Sequence, residues 1–449
     1  MSTPSTKPPS GTRDFLPAEI RRREYVIGVV RDVYRQYGFE PLETPAFENI
    51  ETLLGKYGEE GNKLIFKILK RGEHEASGAA DLALRYDLTV PLARVVAQYQ
   101  AELPKFFKRY QIQPVWRADR PAKGRFREFY QCDVDAIGST SPVVEAEILA
   151  AVCDVLSRLG FDDFVVRLNH RRALTAFLEC AGVPEALHAD ALVAIDKLDK
   201  IGVDGVRQEL AARGVDADAA TSCLDFFSGI SQEDPRRLGP LQRLRDFVQR
   251  HHAGPAAVNV LDEIVRFADG TPAHGRIRID PSLARGLSYY TGAIMEIAVP
   301  DLQGSLGGGG RYDNLIGMFL GRDVPACGFS LGLERIIVVM TERSMFPATV
   351  SGGGVDVLVT IWDADRRAEA LALASELRAG GLRVDVYPEA DKLGKQVKYA
   401  SGRNVPFVAI VGDDERERGE VSIKDLRSGE QAPVARAEAA KRILEWQNR

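Results

Sequence analysis

The chain has 449 residues, 45% hydrophobic and 27% charged, with a net charge of −5 and an isoelectric point of about 5.9. That is enough for two or three ordinary globular domains. It excludes a uniformly basic nucleic-acid binder, so any polyanion contact has to come from local basic patches. Five scattered cysteines with no CxxC pair point to reduced thiols in a cytoplasm, and away from a metal site or a disulfide framework. The first residues, MSTPSTKPPSGTRDFLP, lack the apolar core of a signal peptide, and no run approaches the roughly 18 apolar residues that span a bilayer.

Residues 1–12 are rich in Ser, Thr and Pro and are expected to be disordered. A helix is predicted from about Pro17 to Tyr37. It is followed by GFEPLETPAFEN, an extended piece punctuated by Pro41 and Pro45. Leu64–Leu69 and Leu82–Arg85 read as strands, with RGEHEASGAAD as their turn. Asp87 begins DLTVPLARVVAQY, a helix start with Asp or Thr as cap and Pro91 in the first turn.

Phe107 to Gly138 reads as a strand, a basic loop and a returning strand. Arg117 and Asp119 are two apart and are expected on one face of the first strand. Arg120, Lys123, Arg125 and Arg127 fill the loop. Phe129, Gln131, Asp133 and Asp135 share one face of the second strand. The segment is either a solvated charged hairpin or a seat for a polyanion beside a small zwitterion. A helix from Pro142 to Leu159 and a strand at Phe164–Leu168 come next.

From about Arg172 to Ala268, apolar spacing turns helical and interrupts the strand-rich domain. Its His251–His252 pair is expected to be solvated. Beyond it, Gly307–Gly310 lacks the ending of a phosphate-binding P-loop. It is a flexible turn or a place where the main chain comes close to a ligand. GFSLGLERI alternates small residues along a strand, then opens a helix with Glu334 and Arg335. Ser351–Gly354 is a linker. The remainder reads as alternating strands and helices, a small α/β domain with a mostly parallel sheet. Lys392, Lys395 and Lys398 form a helical stripe there, a solvated face or a contact to an RNA backbone. Arg117, Arg125, Arg285 and Arg335 all lie beside strand signals. Converging guanidinium groups suit phosphoryl or adenylyl transfer without a protein nucleophile.

These motifs, in this order, resemble the histidyl-tRNA synthetases, class II aminoacyl-tRNA synthetases, over essentially the whole chain. GFEPLETPAFE resembles motif 1, WRADRPAKGRFREFYQ motif 2 and GFSLGLERI motif 3. RYDLTVPLAR and RGLSYYTG resemble signatures of the histidine enzyme, and DKLDKIG resembles part of its helical insertion.

The resemblance implies an α+β fold, an antiparallel-sheet catalytic domain with a helical insertion and a C-terminal α/β anticodon-binding domain. The expected division is 1–171 and 271–345 for the catalytic domain, 172–270 for the insertion and 355–449 for the anticodon-binding domain. The implied activity is ATP-dependent ligation of L-histidine to tRNA(His) through histidyl-adenylate, with Mg²⁺ accompanying ATP, in a cytoplasmic homodimer built through motif 1. The alternative is the regulatory subunit of ATP phosphoribosyltransferase, which resembles the catalytic domain alone.

By resemblance, Phe129 and Arg335 sandwich the adenine. Arg117 takes the α-phosphate beside the histidine carboxylate, Asp119 belongs to the ATP site and Arg125 reaches the distal phosphates. Arg285 stabilises the α-phosphate from the other side, so Arg117 and Arg285 are the expected catalytic pair. Asp87, Thr89 and Gln131 hold the ammonium of histidine. Asp135 and Tyr290 bind the imidazole, while Tyr289, Arg311 and Tyr312 line its pocket. The chain departs from the usual pattern at Ser288, Asp119 and Asp135, where the family commonly carries Asp, Glu and, in part of it, Glu.

Overall fold

The computed structural model describes residues 5–70, 72, 77–230, 239–284, 289–351 and 353–447. Its fold is α+β, divided into two compact units: Met1–Asp14 with Val26–Met345, and Phe15–Tyr25 with Phe346–Arg449. Arg71 and residues 73–76 of the RGEHEASGAAD turn, Arg285–Ser288 and Gly352 of the expected linker lie outside the described residues.

In chain order the elements begin with the helix α1 (Pro17–Gln36), which the division into units splits after Tyr25, and the short strands β1 (Glu40–Pro41) and β2 (Phe47–Asn49). Two short helices follow, α2 (Ile50–Leu53) and α3 (Gly58–Lys63), then β3 (Lys67–Leu69), β4 (Ala80–Leu84) and α4 (Thr89–Gln98). The predicted hairpin is β5 (Phe107–Trp116) and β6 (Glu128–Ile137), paired antiparallel along their whole length. β5 stops at Trp116, so Arg117 and Asp119 stand just beyond it and not on it. After α5 (Val143–Arg158) come β7 (Val165–His170) and a helical run. That run is α6 (Arg171–Cys180), α7 (His188–Ile195), α8 (Leu198–Ala212), α9 (Ala217–Ile230), α10 (Gly239–Val248) and α11 (Gly254–Phe267). The chain returns to the sheet as β8 (Ile277–Ile279), β9 (Ala293–Ala298), β10 (Gly307–Arg311), α12 (Gly317–Leu320), β11 (Ala326–Gly332) and α13 (Leu333–Glu342).

Eight of these strands form one sheet, in the order β1-β5-β6-β11-β10-β9-β7-β8. All neighbours are antiparallel except the two edge pairs, β1 with β5 and β7 with β8. Each central strand is two-faced, because side chains alternate across the pleat. On β6 the even positions Cys132, Val134 and Ala136 are buried apolar core, as are Cys327, Phe329 and Leu331 of β11. The odd positions of β6 carry the polar row. Buried residues of α5, among them Ile148, Leu149, Val152 and Leu156, belong to the apolar core.

The glycine run is not a turn. Gly307–Arg311 is an interior strand bonded to β11 on one side and β9 on the other. A Cβ on Gly309 would stand 2.2 Å from the Gly328 carbonyl oxygen, so the strand needs glycine for its own close packing. The expected disorder over 1–12 also fails for the part that is described. Gly11 O accepts a bond from Arg127 N at 2.8 Å, and the Arg13 guanidinium stacks 3.6 Å from the Phe126 ring centroid. His251 is not solvated either. One ring nitrogen contacts Glu179 at 2.7 Å and the other accepts from Ala253 N and Gly254 N at the start of α11.

In the helical run, Phe177 of α6 gathers Phe226, Phe227 and Phe247 at 4.8–5.4 Å between ring centroids. α8 is two helical pieces meeting at Gly202, whose φ of 66° only glycine adopts cheaply.

The C-terminal part of the second unit begins with α14 (Ala348–Ser351) and holds the sheet order β13-β12-β14-β15-β16. Here β12 (Val357–Val359), β13 (Val384–Val386) and β14 (Phe407–Ile410) are parallel. β15 (Glu420–Asp425) and β16 (Gln431–Ala435) form an antiparallel hairpin on that edge. The expected parallel sheet is therefore mixed; the hairpin turn rests on Gly429 at φ 78°. α15 (Arg367–Ala379), α16 (Leu393–Gly402), α17 (Asp413–Arg418) and α18 (Ala439–Gln447) complete it. Its core includes Val357, Val359, Leu373, Phe407, Ile443 and Trp446. Of the lysine stripe, Lys395 pairs with Asp391 at 2.7 Å.

Candidate functional site

The polar face of the central strands floors a cavity of about 480 Å³. Register defines that floor. Gln131, Asp133 and Asp135 of β6 stand opposite Gly332, Ser330 and Gly328 of β11, so three polar side chains lie beside three positions with little or no side chain. On the other flank Arg109, Gln111 and Gln113 of β5 oppose the same three residues. Phe129 extends the row toward the motif 2 loop. Small residues are required here: a Cβ on Gly328 would stand 1.8 Å from Asp135 Oδ1.

At the loop end of the cavity are Arg117, Asp119, Arg125, Phe129 and Arg335. Arg117 lies 4.3 Å from the centroid of Tyr86 and 5.2 Å from that of Phe129, with its Nε donating to Tyr86 O at 3.1 Å. Arg125 forms a fork on Asp119, with contacts of 3.0 and 2.9 Å. Its side chain remains 55% exposed, so it is free to exchange that partner for another anion. Arg335, in the first turn of α13, donates to Ser305 O at 2.5 Å. Its neighbour Glu334 accepts from Tyr130 N at 2.9 Å, which ties α13 to β6.

The opposite end is buried. Asp87 precedes α4 and receives Tyr57 OH and Val90 N, each at 3.0 Å, on one oxygen and Tyr289 OH at 3.2 Å on the other. Burial raises its pKa, and Val90 N–H, Arg117 and the two tyrosines pull it back. Asp135 accepts the Tyr312 hydroxyl, and its other oxygen is 2.9 Å from Arg109 Nη2. Asp133 Oδ2 is 3.9 Å from the same nitrogen. Arg109 is fully buried, and its third contact is to Leu88 O at 3.3 Å. Burial raises both aspartates, Asp133 to about 7, against the lowering pull of Arg109. Tyr289, Tyr290 and Tyr312 are likewise pushed up, first by burial.

The structure thus brings Asp87, Thr89, Arg117, Asp119, Arg125, Phe129, Gln131, Asp135, Tyr289, Tyr290 and Arg335 around one cavity. Arg311 does not join them. It is the last residue of β10 and opposes Cys327, so it points to the face away from Gly328 and the cavity floor. There it makes a two-pronged ion pair with Glu145 of α5 at 2.6 and 2.8 Å and donates to Ser139 O at 2.9 Å. Burial lowers its pKa, but the Glu145 bond outweighs this and the net shift is upward. Reading the glycine run as a loop hid that alternation. Arg285 and Ser288 lie outside the described residues.

Sequence reasoning passed over Arg109 and Arg85. Arg85 is 1% exposed and donates to the carbonyls of Thr44, Pro45 and Pro114 and to Gln113 Oε1. It joins motif 1 to β5 immediately before the Tyr86–Asp87 segment. Burial lowers its pKa to about 10, since its partners are mostly neutral carbonyls. An arginine at an interior position of a two-faced strand was the available signal for Arg109.

Comparison with known proteins agrees with this architecture. The profile described as histidyl-tRNA synthetase matches residues 11–336, and that described as anticodon binding domain matches residues 355–446. A relative from Bacteroides fragilis named Histidine--tRNA ligase is 42% identical over 449 aligned residues, covering 96% of this chain and 97% of its own. The crystal structure of histidyl-tRNA synthetase from Nostoc sp. PCC 7120 superposes with a TM-score of 0.84 at 31% identity, covering 99% of this chain and all of its own. A Bacillus halodurans structure titled ATP phosphoribosyltransferase regulatory subunit/histidyl-tRNA synthetase shares the fold, with a TM-score of 0.74 at 24% identity over 91% of this chain and 99% of its own.

Proposed function

The chain belongs to the histidyl-tRNA synthetase family, and from that premise we propose that it ligates L-histidine to tRNA(His) through a histidyl-adenylate, consuming ATP. The observation that carries this is the polarity of that cavity. Arginines, among them the half-exposed Arg125, and an aromatic ring crowd its loop end, and buried carboxylates and tyrosines crowd its floor. A triphosphate suits the first and a small cationic amino acid the second.

In this reading the histidine carboxylate attacks the α-phosphorus and pyrophosphate leaves, so the protein's task is to position both and to stabilise charge on the phosphate. Arg117, braced by Tyr86, holds the α-phosphate and the carboxylate, and Arg125 leaves Asp119 for the distal phosphates. Phe129 and Arg335 take the two faces of the adenine. Arg285 completes the charge on the α-phosphate. Asp135 and Tyr290 accept the imidazole, a polar pair that rejects apolar isosteres by leaving buried groups unpaired. Mg²⁺ takes oxygen ligands, commonly one or two carboxylates plus substrate phosphates. Glu296 and Glu334 line the cavity and are the residues that would hold it; when bound it would neutralise charge on the leaving pyrophosphate.

Residues 172–270 are assigned to the helical insertion and 355–449 to anticodon binding. A homodimer through motif 1 is supported by a groove beside that motif, lined by Leu42, Pro45, Phe47, Tyr99 and Leu103, with Phe47 half exposed. The free cysteines support a cytoplasmic setting.

ATP–pyrophosphate exchange with each of the twenty amino acids tests the proposal. Exchange with histidine alone is expected. Arg285→Ala should abolish most of that exchange, on the order of 10²-fold or more, while histidine binding persists; unchanged exchange would remove its assigned role. No exchange with any amino acid would favour the regulatory-subunit reading. The match of residues 355–446 to an anticodon binding domain already weighs against it.

A further inference from the structure

The motif 2 loop is pinned from outside the hairpin that carries it. Arg127, in its returning limb, donates its backbone N–H to Gly11 O at 2.8 Å, while its own carbonyl accepts from Arg117 N at 2.9 Å. The Arg127 guanidinium extends that contact, from Nη1 to Ser10 O at 3.4 Å and from Nε to Asp119 O at 3.0 Å. One residue earlier, the Phe126 ring lies under the Arg13 guanidinium, whose carbon is 3.6 Å from the ring centroid. Earlier again, Arg125 exchanges both backbone bonds with Ala122, at 2.9 and 3.1 Å. The chain that meets the loop is shaped to do so. Thr12 bonds Pro9 O through both its N–H and its hydroxyl, at 3.0 and 2.8 Å. Gly11 takes a φ of 84°, and a Cβ there would stand 2.6 Å from Arg127 Cγ.

We propose that residues 9–13 form a strap that positions the motif 2 loop for ATP, with Arg13 acting on Arg125 through Phe126. The proposal deepens the ATP-consuming reading above and rests on it. Phe126 and Arg125 both line the loop end of the cavity, so the ring that Arg13 covers is next in sequence to the arginine assigned to the distal phosphates. Fixing that ring fixes the backbone torsions from which the Arg125 side chain departs. The ion pairs of the loop itself do this poorly. Arg125 holds Asp119 with a side chain 55% exposed, and Lys123 meets Glu342 of α13 with both side chains exposed, at 73% and 46%. Such pairs are screened and easily exchanged.

A segment rich in Ser, Thr and Pro has little apolar surface with which to offset the entropy of being ordered. Here the backbone bond to Arg127 and the stacked guanidinium contribute to that offset, and both act on the loop. Arg13 is exposed, so its contact with Phe126 bears little on global stability and chiefly on where the loop sits. An exposed cation–π contact shifts such an equilibrium on the order of two- to fivefold.

Pyrophosphate exchange on the full chain, with ATP and histidine varied separately, tests this. Arg13→Ala should raise the ATP KM about two- to fivefold and leave the histidine KM and the unfolding midpoint at their wild-type values. Phe126→Leu, which keeps apolar bulk and removes the π face, should do the same, and the double variant should be no worse than either. Gly11→Ala, whose methyl would meet Arg127 Cγ, breaks the backbone bond of the strap and should raise the ATP KM further, about tenfold. Effects of Arg13→Ala and Phe126→Leu that multiply would mean that Arg13 meets the nucleotide itself, which overturns its positioning role. An unchanged ATP KM in Arg13→Ala overturns the proposal while the activity reading stands, and so do equal rises in the ATP and histidine KM. A wild-type chain with no histidine-dependent exchange sinks the activity reading, and the proposal with it.

Discussion

The two ends of the cavity solve the problem of holding charge in opposite ways. At the loop end, proposed for the nucleotide, Arg125 is half exposed and its partner Asp119 sits on a loop past the end of β5. The interaction is held cheaply and can be given up cheaply. At the buried end, proposed for the amino acid, Arg109, Asp133 and Asp135 lie on neighbouring strands in fixed register. Charges there cost several kcal/mol each to desolvate, which the single guanidinium of Arg109 offsets in part for the two aspartates beside it. The comparison teaches that the end proposed to discriminate is built into the buried register of the sheet, while the end proposed to take and release a triphosphate is exposed and adaptable.

The largest expected effect lies behind the rigid end. Glu145→Gln takes the two-pronged carboxylate from the buried Arg311 guanidinium and leaves it, as a carboxylate partner, only the 3.2 Å contact to Asp313, and breaking such a buried pair costs about 3–5 kcal/mol. A urea midpoint lowered accordingly, with the histidine KM nearly unchanged in the folded fraction, fits a structural pair on the far face. A tenfold KM change with no loss of stability would return Arg311 to the substrate site. Next comes Gly328→Ala. The added methyl would occupy the space of the Asp135 carboxylate, so Asp135 has to leave Tyr312 and Arg109. The histidine KM should rise about 100-fold, as for losing a hydrogen bond to a buried charge, and the ATP KM should hold. A comparable rise in both would mean the two ends are not separable.

Phe129→Ala addresses the adaptable end. Stacking of a base on an aromatic ring is worth about 1–3 kcal/mol by alanine substitution. An ATP KM raised about 10-fold, with unfolding and the histidine KM little altered, is expected. Unchanged ATP kinetics would place the adenine elsewhere.

Much of this was legible before any coordinates. The β5–β6 hairpin, the shared face of Phe129, Gln131, Asp133 and Asp135 and the small-residue alternation of GFSLG follow from a period of two, a short-range property of the chain. What was not legible depended on long-range pairing. GGGGR carries no strand propensity and becomes a strand only because β9 and β11 accept it on both sides. The facing of Arg311 then follows from that pairing and could not precede it. Arg109 and Arg85 read as ordinary strand arginines, because burial at a sheet centre is set by neighbours more than 20 residues away in sequence. Residues 1–12 read as disordered by composition, yet the backbone of Gly11 meets Arg127 across more than 100 residues.

The smallest effect discriminates best between the two strategies. Arg125→Ala removes a guanidinium that forks onto Asp119 with good geometry, 3.0 and 2.9 Å, and geometry alone would suggest a stabilising pair. Exposure argues otherwise. In water the Coulomb gain is screened, the long side chain loses rotamer freedom and the net contribution is about 0–1 kcal/mol. The unfolding midpoint should therefore stay within error of the wild type. With ATP present the same change should raise the ATP KM, since the distal phosphates offer this arginine more charge than Asp119 does. Raised salt should shrink the difference between Arg125→Ala and wild type, because the site is open to screening. It should leave the cost of Glu145→Gln nearly intact, because that pair is buried. If both variants responded equally to salt, the division into a rigid end and an adaptable end would fail.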